Sequence, residues 1–188
     1  MNLPNKITLL RMVLIPAFLF MYLVRPMDGI VYAWGAVAND WLSLVLFVIA
    51  AITDAIDGHL ARKLGLVTNF GKLMDPLADK MLVCAAFIAF TATGGLPAWI
   101  TIIFVSREFY ISGLRQLALE QKIVLAASTS AKIKTIAQIT LVIYLLLPFP
   151  FSYLFFAPVA MAVAIIAAAI SIYSAAEYTW KNWKVLRD

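Results

Sequence analysis

The sequence predicts an all-α integral membrane protein with six transmembrane helices, preceded by a short amphipathic N-terminal helix. The first observation is composition: 64% of the 188 residues are hydrophobic and 13% are charged, whereas a soluble domain is about 45–50% apolar and about 25% charged. The second is that the apolar residues form long runs, together enough for about six spans of about 20 residues. A single cysteine cannot form an internal disulfide. These observations exclude an ordinary soluble enzyme and a secreted disulfide scaffold.

The first two elements lie in the N-terminal part of the chain. From Asn2 to Leu14, apolar residues recur at spacings of four, three and four, which predicts an amphipathic helix at the membrane interface. The apolar run from Met12 to Val24 begins the first span. No small-residue cleavage site follows this run, so we expect it to be retained and not removed as a signal peptide.

Five further apolar segments predict the other five spans. Turn-forming residues separate them at Gly94–Pro97 and at Pro148–Pro150. No long linker or change of composition divides the chain, so residues 1–188 are predicted to form a single membrane domain. The predicted segments are Trp41–Ala61, Leu73–Thr93, Ala98–Leu119, Ile133–Leu147 and Phe151–Tyr178.

The distribution of basic residues predicts the orientation. Six spans with a cytosolic N-terminus place every Lys and Arg except Arg25 in inner loops or in the inner halves of helices, in agreement with the positive-inside rule. Trp180 and Trp183 fit an aromatic belt near the same interface. Both termini are therefore predicted to be cytosolic. The net charge of +5 then reflects orientation and anionic lipid or phosphate, and nucleic acid is not a predicted partner.

Two pairs of aspartates lie inside the predicted spans. Asp54 and Asp57 are three residues apart, and Asp75 and Asp79 are four apart, so each pair shares a helical face. A short inner loop joins the two spans, which allows the pairs to face each other. With a rise of about 1.5 Å per residue, Asp54 lies about 12 Å, Asp79 about 10 Å and Arg107 about 12 Å deep. Charges at this depth are costly in lipid and indicate a functional site.

Four carboxylates in one pocket need cations to remain ionised. The chain has one histidine and one cysteine, so the ligands are oxygens and Mg²⁺ or Mn²⁺ fits best. Two such ions could clamp a phosphate during an in-line displacement. Helix-end salt bridges with Lys63, Lys72 and Lys80 are one alternative. A cation transporter is another, but it predicts polar residues towards the outer face, where the spans are almost wholly apolar.

The segment around the aspartates reads Asp54-x2-Asp57-Gly58-x2-Ala61-Arg62-x8-Gly71-x3-Asp75-x3-Asp79. Its eight fixed positions over 26 residues resemble the signature of the CDP-alcohol phosphotransferases, integral membrane enzymes of phospholipid synthesis. The resemblance implies a six-helix fold, a homodimer and a binuclear metal site at the cytosolic face. It also implies transfer of a phosphatidyl group from CDP-diacylglycerol with release of CMP.

The resemblance also implies roles within the signature. The four aspartates would hold the two metal ions, and Asp79 would in addition act as general base for the attacking hydroxyl. Arg62 is expected to contact a phosphate of the nucleotide. Small residues here are also typical of close helix packing. The positions expected to line the cytidine site are Thr53, Gly58, Ala61 and Gly71.

Motifs outside the signature point to the acceptor. Three of them resemble bacterial family members that use glycerol 3-phosphate: Asn2–Asn5 with Thr8 and Arg11, Arg107-Glu108 with Gly113–Arg115, and Ala127-Ser128 leading to Lys132–Thr135. A dianionic acceptor phosphate needs a clamp of basic side chains, and we expect Glu108 to orient Arg107 or a lysine. The expected acceptor-binding residues are Arg107, Arg115, Lys132 and Lys134, with polar support from Thr8, Asn5 and Ser128.

Other acceptors remain open at this point. Inositol phosphate also carries a phosphate and would use the same clamp, while serine and phosphatidylglycerol are acceptors of sister enzymes. A serine acceptor would leave the basic residues hard to explain, although the positive-inside bias alone accounts for inner lysines. The resemblance implies a multi-pass protein of the inner (plasma) membrane of a bacterium, with its active site facing the cytosol.

Overall fold

A computed structural model describes residues 3–24, 41–53, 69–121, 123, 125, 128–147 and 153–186. These residues are helical almost throughout, and no strand occurs among them, which confirms the all-α prediction. A turn of 3₁₀-helix, Trp183–Leu186, follows the last long helix. The helices of this part of the chain are α1 (Leu3–Leu23), α2 (described from Trp41 to Thr53), α3 (Asn69–Ala92), α4 (Ala98–Glu120), α5 (Thr129–Leu146) and α6 (Tyr153–Lys181).

Helix α1 is more continuous than the sequence predicts. The expected separate interfacial helix ending at Leu14 and the first span form one helix, which runs without a break over Leu3–Leu23. Pro16 lies inside it, and a proline within an apolar helix is tolerated where other helices pack against it. Ile15 and Phe18, on either side of the proline, are buried in the core. The two predicted elements therefore belong to one helix, and the residues on either side of its proline pack in the core.

The turn between α3 and α4 confirms the break predicted at Gly94–Pro97. Gly94 has a φ of +76°, a left-handed conformation that glycine adopts without steric cost. The N–H of Gly95 donates to the carbonyl of Phe90 at 2.8 Å, which closes the end of α3. The chain then reverses, and α4 packs against α3. The break predicted at Pro148–Pro150 lies outside the described residues.

An aromatic core joins the first four helices. Phe18 of α1 lies against Phe47 of α2, with ring centroids 5.8 Å apart, and Phe87 of α3 stacks on Phe104 of α4 at 4.5 Å. All four rings are fully buried, and such pairs stabilise a fold beyond the area that they remove from solvent. Helix α3 contacts both α4 and α5, which both pack on α6. Each of these four helices thus packs against two of the others.

Large apolar side chains cover the outward faces of the helices. Ile102 of α4, Ile136 of α5 and Ile166 of α6 are each more than half exposed, and a soluble monomer rarely exposes extended apolar surface of this kind. The segments Thr129–Leu146 and Pro158–Lys181 are long and apolar enough to cross a membrane. These features agree with a membrane protein. The number of spans and the side of the termini stay predictions.

Candidate active site

Helix α3 carries Asp75 and Asp79 one turn apart. At helical spacing, these two positions continue the row that Leu82 and Ala86 form further along α3. Both of those apolar side chains are buried in the core, so this row is the inner face of α3. The aspartate side chains themselves lie outside what the structure describes, and their metal-binding role stays a prediction.

A cationic cavity lies next to this row, among α3, α4 and α5. Its volume is about 150 Å³, and four positively charged side chains and one carboxylate line it. Val83 also lines it, and Val83 follows Asp79 by one helical turn, so the cavity contacts α3 close to the position of Asp79. The charged lining residues are Lys80 of α3, Arg107, Glu108 and Arg115 of α4, and Lys134 of α5.

Helical periodicity brings the charges of α4 to one side of that helix. Arg107, Ile111 and Arg115 follow one another at intervals of four, as do Glu108 and Ser112, so all five share one face. All five line the cavity. The sequence predicts that both arginines belong to one clamp, and in the structure they line one cavity together with Lys134; their role in binding the acceptor stays a prediction.

Glu108 is ion-paired with two buried cations. Its carboxylate accepts a hydrogen bond from Lys134 Nζ and, at 3.4 Å, another from Arg107 Nη1. Glu108 and Arg107 are each 9% exposed and Lys134 is 4% exposed. A buried ionic triad holds its members firmly, because removal of one leaves the others as uncompensated charges. The expectation that Glu108 orients Arg107 or a lysine is confirmed, and Glu108 contacts both.

Arg107 is held at a second point by α6. Its Nη2 donates to Ser174 Oγ at 3.0 Å, so the guanidinium group bridges α4 and α6. Its Nε is buried and has no hydrogen-bond partner among the described residues. A buried donor without a partner is unfavourable, and an anion bound in the cavity would satisfy it through a charge-assisted hydrogen bond.

Neutral hydroxyl groups position two further cations of the cavity. Arg115 Nε donates to Tyr178 Oη at 3.3 Å, and Arg115 Cζ lies 5.7 Å from the centre of the Tyr178 ring. Lys80 Nζ donates to Ser112 Oγ at 2.5 Å. The Ser112 hydroxyl in turn donates to the main-chain carbonyl of Glu108 at 2.5 Å. The phenol of Tyr178 orients Arg115 without neutralising its charge, which remains able to attract an anion.

Several residues of the site escaped the sequence analysis. Gln138 lines the cavity one turn after Lys134, and this spacing of four residues was a usable signal. From the sequence, Lys80 is considered only as a salt-bridge partner of the aspartates, and its place in the cavity depends on the packing of α3 against α4. Ser174 and Tyr178 carry no signal beyond a hydroxyl group within a long apolar segment, so only the packing of α6 on α4 identifies them.

Two predicted acceptor-binding residues are not among those that line the cavity. Lys132 is exposed on α5, because two helical positions rotate it by about 200° from Lys134. Ser128 is the N-cap of α5, where its Oγ accepts a hydrogen bond from the N–H of Ala131 at 3.2 Å, a common way to satisfy the first turn of a helix. The roles of Lys132 and Ser128 in acceptor binding stay predictions.

The structure describes less of the other predicted residues. Thr53 is the last described residue of α2, and its hydroxyl donates to the carbonyl of Ile49 at 2.5 Å. Gly71 lies in α3, and Asn5 and Thr8 lie in α1, but nothing is described of their surroundings. The predicted site residues outside the described part of the chain are Asp54, Asp57, Gly58, Ala61 and Arg62.

Comparison with known proteins identifies the class of this enzyme. Residues 1–173 match the model of the CDP-alcohol phosphatidyltransferase family, and the chain belongs to that family. This confirms the resemblance inferred from the aspartate signature.

Individual relatives agree with this assignment. The chain is 45% identical to the CDP-diacylglycerol–glycerol-3-phosphate 3-phosphatidyltransferase of Bacillus subtilis, over 99% of this chain and 97% of the relative. It is 37% identical to a probable phosphatidylglycerophosphate synthase of Mycobacterium tuberculosis, over 90% of this chain and 78% of the relative. It is 36% identical to the CDP-diacylglycerol–glycerol-3-phosphate 3-phosphatidyltransferase of Rickettsia typhi, over 73% and 71% respectively.

Proposed function

We propose that the protein transfers the phosphatidyl group of CDP-diacylglycerol to glycerol 3-phosphate, forming phosphatidylglycerophosphate and CMP. The observation that carries this proposal is the cationic cavity that contacts α3 close to the position of Asp79, because an acceptor with a phosphate needs a pocket of basic side chains. The names of two relatives, those of Bacillus subtilis and Rickettsia typhi, support the same acceptor. A serine acceptor carries no phosphate, so it would not explain why four basic side chains line one cavity.

In the proposed reaction, the primary hydroxyl of glycerol 3-phosphate attacks the phosphorus that bears diacylglycerol. A P–O bond to the acceptor forms as the P–O bond to CMP breaks, and CMP leaves with that electron pair. Asp79 takes the proton of the attacking hydroxyl as general base. Reactants and products balance without a further co-substrate.

The aspartates of the signature are proposed to hold two divalent cations, Mg²⁺ or Mn²⁺. The donor chemistry fits, because carboxylate oxygens suit hard cations and two of the four aspartate positions lie one turn apart on α3. When bound, the ions would neutralise the pyrophosphate and the departing CMP. The proposed metal ligands are Asp54, Asp57, Asp75 and Asp79, and the proposed nucleotide-binding residues are Thr53, Gly58, Ala61, Arg62 and Gly71.

The acceptor phosphate is proposed to bind among Arg107, Arg115 and Lys134. Burial of Arg107 and Lys134 supports this, because charge-assisted hydrogen bonds are stronger where water is excluded. Glu108 fixes the geometry of both cations before the ligand arrives. Arginine also offers two parallel donors that match two oxygens of one phosphate. Lys132, Ser128, Thr8 and Asn5 are proposed as further acceptor-binding residues, although Lys132 and Ser128 are not among the residues that line the cavity.

The chain is proposed to form one domain that crosses the inner membrane of a bacterium six times, as a homodimer. Apolar outward faces of the helices and the two long apolar segments in α5 and α6 support the membrane location. The grouping of basic residues supports cytosolic termini and a site that opens to the cytosol. A site about 10 Å below the cytosolic face suits CDP-diacylglycerol, because its acyl tails lie in lipid while its nucleotide lies at the membrane surface.

A panel of acceptors tests the proposed function. The purified protein, in micelles of detergent and phospholipid, is incubated with CDP-diacylglycerol, Mg²⁺ and one acceptor at a time, and CMP release is measured. We expect release with glycerol 3-phosphate and little with inositol phosphate or serine. Chelation should abolish release and added Mg²⁺ should restore it. Release with another acceptor would assign the protein to a sister activity, and activity that resists chelation would contradict the metal site.

Replacement of Arg115 with Ala tests the clamp. We expect the KM for glycerol 3-phosphate to rise about tenfold or more, because a hydrogen bond to a charged group contributes about 1.5–3 kcal/mol. The KM for CDP-diacylglycerol should change less than about twofold, since the proposed contact is with the acceptor alone. Lys181→Ala is the matched control, because Lys181 is an exposed cation paired with Glu177 on α6. Equal changes in both KM values would refute the clamp.

A further inference from the structure

We propose that Gln138 recognises the secondary hydroxyl of the acceptor, the one that glycerol 3-phosphate carries between its phosphate and its reacting hydroxyl. This inference rests on the proposed function, because it assigns a specificity contact within the same acceptor cavity. It adds a residue that neither the aspartate signature nor the basic clamp contains.

The side chain of Gln138 is buried without a partner for its amide nitrogen. The residue is 2% exposed, and its Nε2 has no hydrogen-bond partner within the described part of the chain. Buried side-chain amides are nearly always hydrogen-bonded, and each exception requires an explanation. Since Gln138 lines the cationic cavity, a ligand in that cavity supplies the missing partner.

The chemistry of the cavity favours an uncharged group as this partner. Arg107, Arg115 and Lys134 already offer the positive charge that an acceptor phosphate requires. An amide is neutral and both donates and accepts hydrogen bonds, which matches a hydroxyl group. Gln138 therefore binds the hydroxyl group of the acceptor, and the cations bind its phosphate.

The position of Gln138 agrees with this division of roles. It follows Lys134 by four residues, so it lies on the same face of α5 and about 6 Å further along the helix axis. The apolar residues Val83 and Ile139 also line the cavity, so not all of the lining is charged. An acceptor whose phosphate binds at Lys134 would extend its carbon chain past the amide.

A comparison of two acceptors tests the proposal. Glycerol 3-phosphate and 3-hydroxypropyl phosphate share the phosphate and the primary hydroxyl, but the second lacks the secondary hydroxyl. We expect the wild-type protein to prefer glycerol 3-phosphate by roughly tenfold in kcat/KM, as is typical for the loss of one partner of a buried hydrogen bond. In Gln138→Met, the value for glycerol 3-phosphate should fall to within about twofold of the deoxy acceptor, whose own value stays unchanged.

The ratio of the two kcat/KM values does not depend on the fraction of folded protein, so partial unfolding of Gln138→Met would not hide the result. Ser171→Ala is the matched control, because Ser171 also has a buried side-chain oxygen without a partner in the described chain but is not among the cavity residues. It should leave the ratio unchanged. Equal loss with both acceptors, no loss with either, or a wild type that does not distinguish them would overturn the role of Gln138. Absence of transfer from wild type to glycerol 3-phosphate would instead refute the proposed function.

Discussion

Replacement of Asp79 with Asn is expected to lower CMP release by about a hundredfold or more, because a positioned general base contributes about 10²–10⁴-fold to a rate. An amide cannot take the proton of the attacking hydroxyl, and it is also a weaker metal ligand than a carboxylate. The change keeps the size of the side chain, so binding of CDP-diacylglycerol should remain measurable. Rate and binding are measured separately, with radiolabelled CDP-diacylglycerol and with CMP release.

Glu177→Gln provides the control for this change from acid to amide. Glu177 lies near the C-terminal end of α6 and pairs with Lys181 one turn away, outside the cationic cavity. Its replacement should leave the rate unaltered. Near-normal turnover of Asp79→Asn would show that Asp79 is not the base, whereas loss of CDP-diacylglycerol binding together with turnover would limit its role to holding the metal and nucleotide.

Replacement of Glu108 with Gln is expected to be the most destabilising single change in the described site. Removal of one partner from a buried ionic group costs about 3–5 kcal/mol, because the remaining charges lose their compensation. Arg107 and Lys134 would be left in this state, each less than one-tenth exposed. We expect the midpoint of thermal unfolding in detergent to fall by roughly 10 °C, and the KM for glycerol 3-phosphate to rise because both cations lose their fixed position.

A second variant distinguishes the loss of ion pairing among Glu108, Arg107 and Lys134 from a simple loss of packing. In Glu108→Gln combined with Lys134→Met, one of the uncompensated charges is removed as well. The double variant should therefore lose less stability than the sum of the two single variants, as is expected for groups in direct contact. Additive losses would contradict the coupling. Glu177→Gln again serves as control, since an ion pair between helical residues four apart, with its lysine exposed, contributes little to stability.

Much of the fold can be predicted from patterns of neighbouring residues in the sequence. Apolar runs predict helices because only helices and closed barrels satisfy their own backbone in lipid, and α3 to α6 correspond to four of the predicted spans. Glycine at position 94 predicts a turn because glycine adopts a left-handed conformation without steric cost. In the structure Gly94 has this conformation. The extent of α1 was harder to predict, because burial of the residues around Pro16 depends on other helices.

The residues of the candidate site likewise fall into two groups: those that the sequence predicts and those that only tertiary contacts identify. Arg107 and Arg115 were predictable because they are charged, lie deep in an apolar segment and share a helical face. Lys132 and Lys134 point to different sides of α5 because two helical residues differ by a rotation of about 200°. Their spacing in the sequence was enough to predict this. Ser174, by contrast, becomes part of the site only through a 3.0 Å contact between α6 and α4.

The sequence alone determined that this protein is helical, is built for lipid, and carries its chemistry in a small set of charges within apolar helices. Those properties depend on composition and on spacing along one helix, where distances follow from a fixed rise and rotation per residue. Tertiary structure decided which charges meet: Glu108 with Lys134, Arg107 with Ser174, and the unpartnered amide of Gln138 with the cationic cavity. Contacts between helices depend on how their faces pack and rotate against one another, and spacing along a single helix does not contain that information.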